Sequence, residues 1–232
     1  MSRCVATAAS CLVLVVAMGQ AVAQKVPPSG EALLDALAMG MPSDEAAAAL
    51  DALAAHPVRS GLDVLLGYSR HRGPELRARA LTALAALDDR KARAAVMAGL
   101  GDQDAEVRAA AGRALAARRD RTALPPLMAL LRRGDAAATA PLAALADAEV
   151  ARTVAELAGQ VPDGLLAQTL GGMLARPSLG PETTYVSLVR ALGAIPGDDA
   201  LAALAAHGER GPSRPSVKEA RAILERRRGG TP

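Results

Sequence analysis

Residues 102–118 read DQDAEVRAAAGRALAAR, and their spacing decides the fold. Asp104 stands where a carboxylate accepts from the free amides of a helix start, and Val107, Ala110, Ala111, Ala114 and Leu115 follow at the 3,4-spacing of one apolar stripe. Thirty-one positions earlier, residues 73–87 read GPELRARALTALAAL. Laid on the first stretch, Leu76 meets Val107, Arg77 meets Arg108, Ala80 meets Ala111 and Leu84 meets Leu115. The match therefore holds an apolar face, a charge and a spacing together. Self-similarity at this period predicts stacked helix pairs, each too poor in large side chains to bury a core alone.

The pattern D-x-D-x-x-V-R-x-x-A-A-x-x-A-L resembles the second helix of a HEAT-like repeat, of the bacterial kind also seen in phycocyanobilin lyase-type repeat proteins. The resemblance implies an all-α, right-handed α-solenoid of about six to seven HEAT-like hairpins, with the second helices lining a concave groove. It also implies that an acid and an arginine bond between successive repeats. Arg77, Asp104, Arg108 and Lys218 are the positions expected to form that structural ladder.

Working outward, residues 1–23 have the form of a secretory signal: Arg3, the apolar run CLVLVVAM at 11–18, and Ala21-Val22-Ala23 as a small-x-small cleavage site. The run is short of the roughly 20 residues that cross a bilayer. A lipoprotein reading through Cys11 is weaker, since that cysteine precedes the main apolar run. Cys4 and Cys11 both lie in the signal, so the exported chain is expected to have no thiol, no disulfide and no membrane span. Its formal charge falls from +3 to +2 when Arg3 leaves. That balance, with export, argues against nucleic acid. Residues 24–28 are expected as an extended lead-in through Pro27-Pro28, 29–228 as the repeat domain, and 229–232 as a frayed tail.

Helices are expected at 29–40, 43–56, 58–70 and 73–87, then at 92–100, 102–118, 122–133, 135–147 and 148–160. Further ones follow at 162–175 and beyond, about thirteen in all. Pro125-Pro126 fit a first helical turn, whereas Pro141 predicts a kink or a late start. Residues 175–184, ARPSLGPETT, form the longest turn-rich segment and are expected to add few contacts. Beyond them YVSLVRAL (185–192) aligns with VKEARAIL (217–224) at an interval of 32. The span from about Asp135 to Thr184, which holds the Ala-rich stretch with Pro141 and the turn-rich segment, is expected to open below the global transition. Tyr68 and Tyr185 are the only aromatics, so any binding surface has to work with arginine, leucine and backbone shape.

Chemistry is sparse. His56, His71 and His207 are far apart and each falls near an expected helix end, where a cation meets free carbonyls; no metal site is expected. Asp88-Asp89 and Asp198-Asp199 suit helix starts better than acid/base work. No phosphate loop, dinucleotide fingerprint or nucleophile elbow occurs, and Gly171-Gly172 reads as close helix packing. Some HEAT-like proteins are lyases or base-excision glycosylases, but two tyrosines and no tryptophan leave little to stack a base or cradle a tetrapyrrole. The expectation is a protein without catalytic residues, cofactor or metal.

Arginines carry the remaining interest. Arg72, Arg118 and Arg119 are expected to share one edge of the stack as a positive strip for an acidic protein partner. Arg113 and Arg190, placed on second helices off the apolar stripe, are the expected groove residues. The function expected is a non-catalytic protein-interaction scaffold of the bacterial envelope or periplasm. The alternatives are an accessory subunit or maturation factor for an envelope enzyme, or a lyase-like repeat enzyme.

Overall fold

Helices begin where the chain supplies its own caps. The carboxylate of Asp89 accepts from the amides of Lys91 and Ala92, Asp104 from Glu106 and Val107, and Asp147 from Glu149 and Val150. The structure, a computed structural model, describes residues 29–211 and 214–229. The expected signal, the lead-in and residues 230–232 lie outside the described residues. Thirteen α-helices are described: α1 Gly30–Met39, α2 Ser43–Ala55, α3 Leu62–Tyr68, α4 Pro74–Ala86, α5 Arg90–Gly99, α6 Ala105–Ala117, α7 Leu124–Arg132, α8 Thr139–Leu145, α9 Ala148–Ala155, α10 Asp163–Leu174, α11 Glu182–Ala194, α12 Asp198–Gly208 and α13 Pro215–Gly229. No strand occurs among the described residues.

The helices form two layers. Even-numbered helices pack in series from α2 through α4, α6, α8 and α10 to α12, while the odd layer packs α1 on α3 on α5 and α9 on α11 on α13. Consecutive helices pair as hairpins, giving an α-solenoid of six pairs closed by α13, which packs on both α11 and α12. Its arginine-rich outer face suits a terminal repeat with solvent beyond it.

One apolar core runs along the stack. Leu50, Leu84, Leu115, Leu127, Leu142, Leu166 and Leu170 are each fully buried between the layers. Burial of each such side chain is worth about 1.5–3 kcal/mol. Alanine fills the closest approaches, with Ala80, Ala83, Ala92 and Ala111 at 0% exposure. Glycine goes further. A Cβ on Gly171 would lie 2.9 Å from Ala203 Cβ and one on Gly172 would lie 2.8 Å from Ala143 Cβ, so the pair seats α10 between α12 and α8.

Pro141 produces the late start: residues 136–138 form a 3-10 turn, and α8 begins only at Thr139 with the proline in its first turn. Its ring packs where Gly112 of α6 has no side chain, since a Cβ there would come 2.7 Å from Pro141 Cγ. Pro125 and Pro126 sit in the first turn of α7, as expected.

Three expectations change. The segment 175–184 is well anchored: Leu179 is 3% exposed, its amide donates to the Tyr185 hydroxyl at 2.9 Å, and that hydroxyl donates to the Arg176 carbonyl at 2.7 Å. α13 runs one residue into the expected tail, to Gly229, and just before it Arg227 donates to the carbonyls of Gly193 and Ile195 at 2.6 and 2.8 Å. His207 is buried and is no exposed helix-end cation: its Nε2 meets Ser216 Oγ at 2.9 Å, joining α12 to α13, and its ring stacks on Tyr185.

Candidate functional site

Alternation of helix direction gives the solenoid two edges. The turns within hairpins, such as 69–73 and 100–104, lie along one; the turns between hairpins, such as 87–89, 118–123 and 175–181, lie along the other. Polar side chains concentrate on both.

The first edge carries the ladder. Arg77 donates from Nε and Nη2 to the Asp102 carboxylate at 2.8 and 2.7 Å and from Nη1 to the carbonyls of His71 and Arg72 at 3.0 and 3.1 Å. One repeat on, Arg108 donates to Asp135 at 2.5 Å and to the carbonyls of Asp102 and Gln103 at 2.8 and 2.9 Å. The Arg77 guanidinium holds the Asp102 carboxyl below its ordinary range. Arg77 and Arg108 are thus the expected ladder arginines. Asp104 is not a ladder acid, because its carboxylate is occupied by the first amides of α6, and the inter-repeat partner is Asp102, two residues earlier. Lys218 is exposed on α13 and makes no ladder contact among the described residues.

The second edge carries a different device. Arg118, at the end of α6, donates to the carbonyls of Ala85 and Leu87 at the end of α4. Arg176 does the same for Ala143 and Ala146 at the end of α8, and Arg210 for Leu174 and Ala175 at the end of α10. Each helix end thus has its free carbonyls satisfied by the arginine of the next repeat. Two steps in the even layer, α2 to α4 and α6 to α8, have no such latch among the described residues. Carboxylates assist elsewhere on this edge. Asp120 accepts from Arg93 at 2.5 and 2.7 Å and from the Thr122 amide at 3.1 Å, and Arg93 foremost lowers its pKa to about 2. Asp147 pairs with Arg121.

Arg118 is therefore spent on stacking. Arg72 is exposed but lies on the first edge, at the opposite end of α4 from the carbonyls that Arg118 holds, about 20 Å away along a 13-residue helix. The expected strip of Arg72, Arg118 and Arg119 is not one strip. Arg190 is not on a second helix either: α11 opens its hairpin, and Arg190 pairs with Glu219 of α13 at 3.2 Å across the odd layer. Arg113 is on the even layer as expected, exposed, in a cleft between α4 and α6 with Glu75, Arg79, Thr82 and Ala110.

Arg119 is exposed between two clefts on the second edge, the larger about 650 Å³ and the other about 490 Å³. The smaller is lined by Arg119 and Arg121 after α6, Leu145 as the last residue of α8 with Ala146 and Asp147 after it, and Arg176 and Leu179 after α10. Reading the sequence missed Asp102, Asp120, Asp135 and Asp147 as pairing acids, Arg93 and Arg121 as the partners of Asp120 and Asp147, and Arg176 and Arg210 as donors to the carbonyls of the preceding repeat. A signal existed: arginine and aspartate recur at separations of 25 to 27 residues in Arg77/Asp102, Arg93/Asp120, Arg108/Asp135 and Arg121/Asp147. No group of three or more potential metal ligands is present among the described residues, and none of the described helices is long and apolar enough to cross a membrane.

Two layers of antiparallel hairpins, an arginine ladder and a one-repeat offset in the polar contacts between hairpins define a helical-repeat protein. Residues 62–146 match the family model for HEAT repeats, and that part of the chain is HEAT-like. No curated protein matches the sequence. Among solved structures it is similar to a complex of CpcE and CpcF of phycocyanin lyase from Nostoc sp. PCC7120, with 18% identity over 88% of this chain and 97% of that one and a TM-score of 0.49. It is also similar to human deoxyhypusine hydroxylase in complex with glycerol, with 19% identity over 84% and 94% of the chains and a TM-score of 0.37. A designed armadillo repeat protein gives 18% identity over 84% and 98% and a TM-score of 0.40.

Proposed function

We propose that this protein is a non-catalytic scaffold that acts after export, in the bacterial envelope or periplasm, and holds a protein partner against its helical layers and edges. One observation carries the reading. The ion pairs and arginine–carbonyl bonds run from repeat to repeat and tie the stack into a frame, on whose surface exposed side chains such as Arg113 are left uncommitted among the described residues. Repeat frames of this kind offer extended surfaces to partners.

The test is reconstitution. The exported chain is used to capture partners from an envelope extract, each captured protein is purified, and sedimentation of the mixed components is measured. A defined complex supports the scaffold; sedimentation as separate species for every captured protein overturns it. A complex with a single enzyme whose turnover requires this chain converts the reading to an accessory subunit.

A further inference from the structure

Arg119 is the only non-glycine residue with positive φ among the described residues, at 55°. It occupies the left-handed position of the turn that closes α6, where the Arg119 amide donates to Ala116 and the Asp120 amide to Leu115, both at 2.9 Å. The next helix end shows what that position ordinarily takes. At the close of α7 the same two bonds are made by Gly134 and Asp135, at 2.9 and 3.0 Å, and Gly134 has φ 75°. Glycine has no Cβ to crowd the following carbonyl, so an arginine there is held against its backbone preference. Strain of this sort collects where a side chain has work to do.

The guanidinium also stands apart from its neighbours. Arg118 is bonded to Ala85 and Leu87, Arg121 to Asp147 and Arg176 to Ala143 and Ala146. The Arg119 side chain has no hydrogen bond or ion pair among the described residues, and it faces the cleft at the α6-to-α8 step, where the arginine latch is missing. Three arginines and one acid, Asp147, line that cleft, with Leu145 and Leu179 as apolar floor. The Arg121–Asp147 pair is open to water, at 58% and 40% side-chain exposure, so an entering carboxylate can share Arg121.

We infer that the cleft around Arg119 is the docking site for a carboxylate-rich segment of a protein partner, an assignment that rests on the scaffold reading above. A polyphosphate backbone fits less well. Asp88, Asp89 and Asp120 interrupt the same edge, whereas a nucleic acid needs a continuous positive track. One uncommitted arginine flanked by two shared ones instead suits a fork-to-carboxylate contact.

The experiment uses the full exported chain and fluorescent hexaglutamate, with Arg119→Gly and Lys218→Ala as variants. Wild type is expected to bind the peptide with an affinity that falls as salt rises. Arg119→Gly is expected to bind roughly tenfold more weakly, and Lys218→Ala, which removes an exposed cation far along the stack on α13, to bind as wild type does. Because glycine relieves the left-handed backbone, Arg119→Gly is also expected to melt about 2–4 °C higher. Equal binding by Arg119→Gly overturns the inference, as does a lower Tm, which would make Arg119 a structural residue. Displacement of hexaglutamate by inorganic phosphate at equal total charge overturns it in favour of a small-anion site. The two proposals fail separately: no reconstituted partner sinks the scaffold whatever hexaglutamate does, and unchanged peptide affinity sinks the cleft whatever partner is found.

Discussion

Arg77 and Asp102 meet through two parallel hydrogen bonds across the boundary between successive hairpins, and the remaining Arg77 nitrogen closes on two carbonyls of its own hairpin. With the arginine side chain 9% exposed and the aspartate 16%, the contact is largely shielded from solvent. Arg77→Ala is expected to cost about 2 kcal/mol, because it leaves a carboxylate and two carbonyls without their donor. Arg77→Lys keeps the charge but not the fork, and is expected to recover only part of that. Urea denaturation of both variants and of Arg77→Ala/Asp102→Asn measures the loss and the coupling; additive effects would show the pair to be incidental.

Gly112 and Gly67 are predicted to respond oppositely to alanine. At Gly112 the new methyl meets Pro141, so a loss of about 1–3 kcal/mol is expected, partly restored by Pro141→Ala. At Gly67, inside α3, nothing lies within 4 Å of the new methyl, and the expected change is a gain of about 0.5–1 kcal/mol. Paired thermal melts decide the matter, and a shift of the same sign at both sites would contradict it.

Tyr185→Phe tests the anchored segment. The hydroxyl serves the Leu179 amide and the Arg176 carbonyl, and its removal orphans both. The expected cost is about 1–3 kcal/mol. Hydrogen exchange gives the local readout: the Leu179 amide is protected in wild type and exchanges fast in Tyr185→Phe. Fast exchange already in wild type would restore the picture of a loose segment.

Acidity acts on the stack through two kinds of group. Burial foremost, then Arg210, lowers the pKa of His207 from its ordinary 6.5, while Glu182 opposes them. The folded form thus binds the proton less well than the unfolded chain does, so stability is lost as pH falls below 6.5. His207→Gln, which keeps a donor toward Ser216, is expected to flatten the dependence of the urea midpoint between pH 7 and 5. An equally steep variant would place the effect elsewhere.

At lower pH the carboxylates take over. Asp120 has its pKa lowered from 3.8 to about 2, chiefly by Arg93, so its contribution is present above about pH 4 and lost as the pH falls through about 2. Asp102 and Asp147 are lowered as well and act in the same direction. Asp120→Asn is expected to melt below wild type at pH 7, with the two curves converging toward pH 2. A constant gap across that window would remove Asp120 titration as the cause.

Much of the architecture was legible because it is local. The stripe of Val107, Ala111 and Leu115 and the cap at Asp104 are properties of one helix and its preceding turn. The pairing acids were not, since choosing Asp102 over Asp104 requires knowing that the latter is already occupied by the amides of α6. Arg190 was misplaced for a reason of parity: whether α11 opens or closes a hairpin depends on counting helices through the turn-rich 175–184. The three arginines at 118, 119 and 121 look alike in the chain. What separates them is a left-handed backbone at one, carbonyls of the previous repeat at another and an aspartate of the next hairpin at the third.

The latches of Arg118, Arg176 and Arg210 all end on backbone oxygen, which every residue possesses. Only the donating half of such a junction has to be encoded, so the receiving helix is free to change its side chains without losing the bond. A duplicated hairpin carrying its own arginine arrives already equipped for its predecessor. Ancestry by copying and drifting apart is then compatible with a fixed spacing, and the sequences of neighbouring repeats can diverge while the joint between them persists.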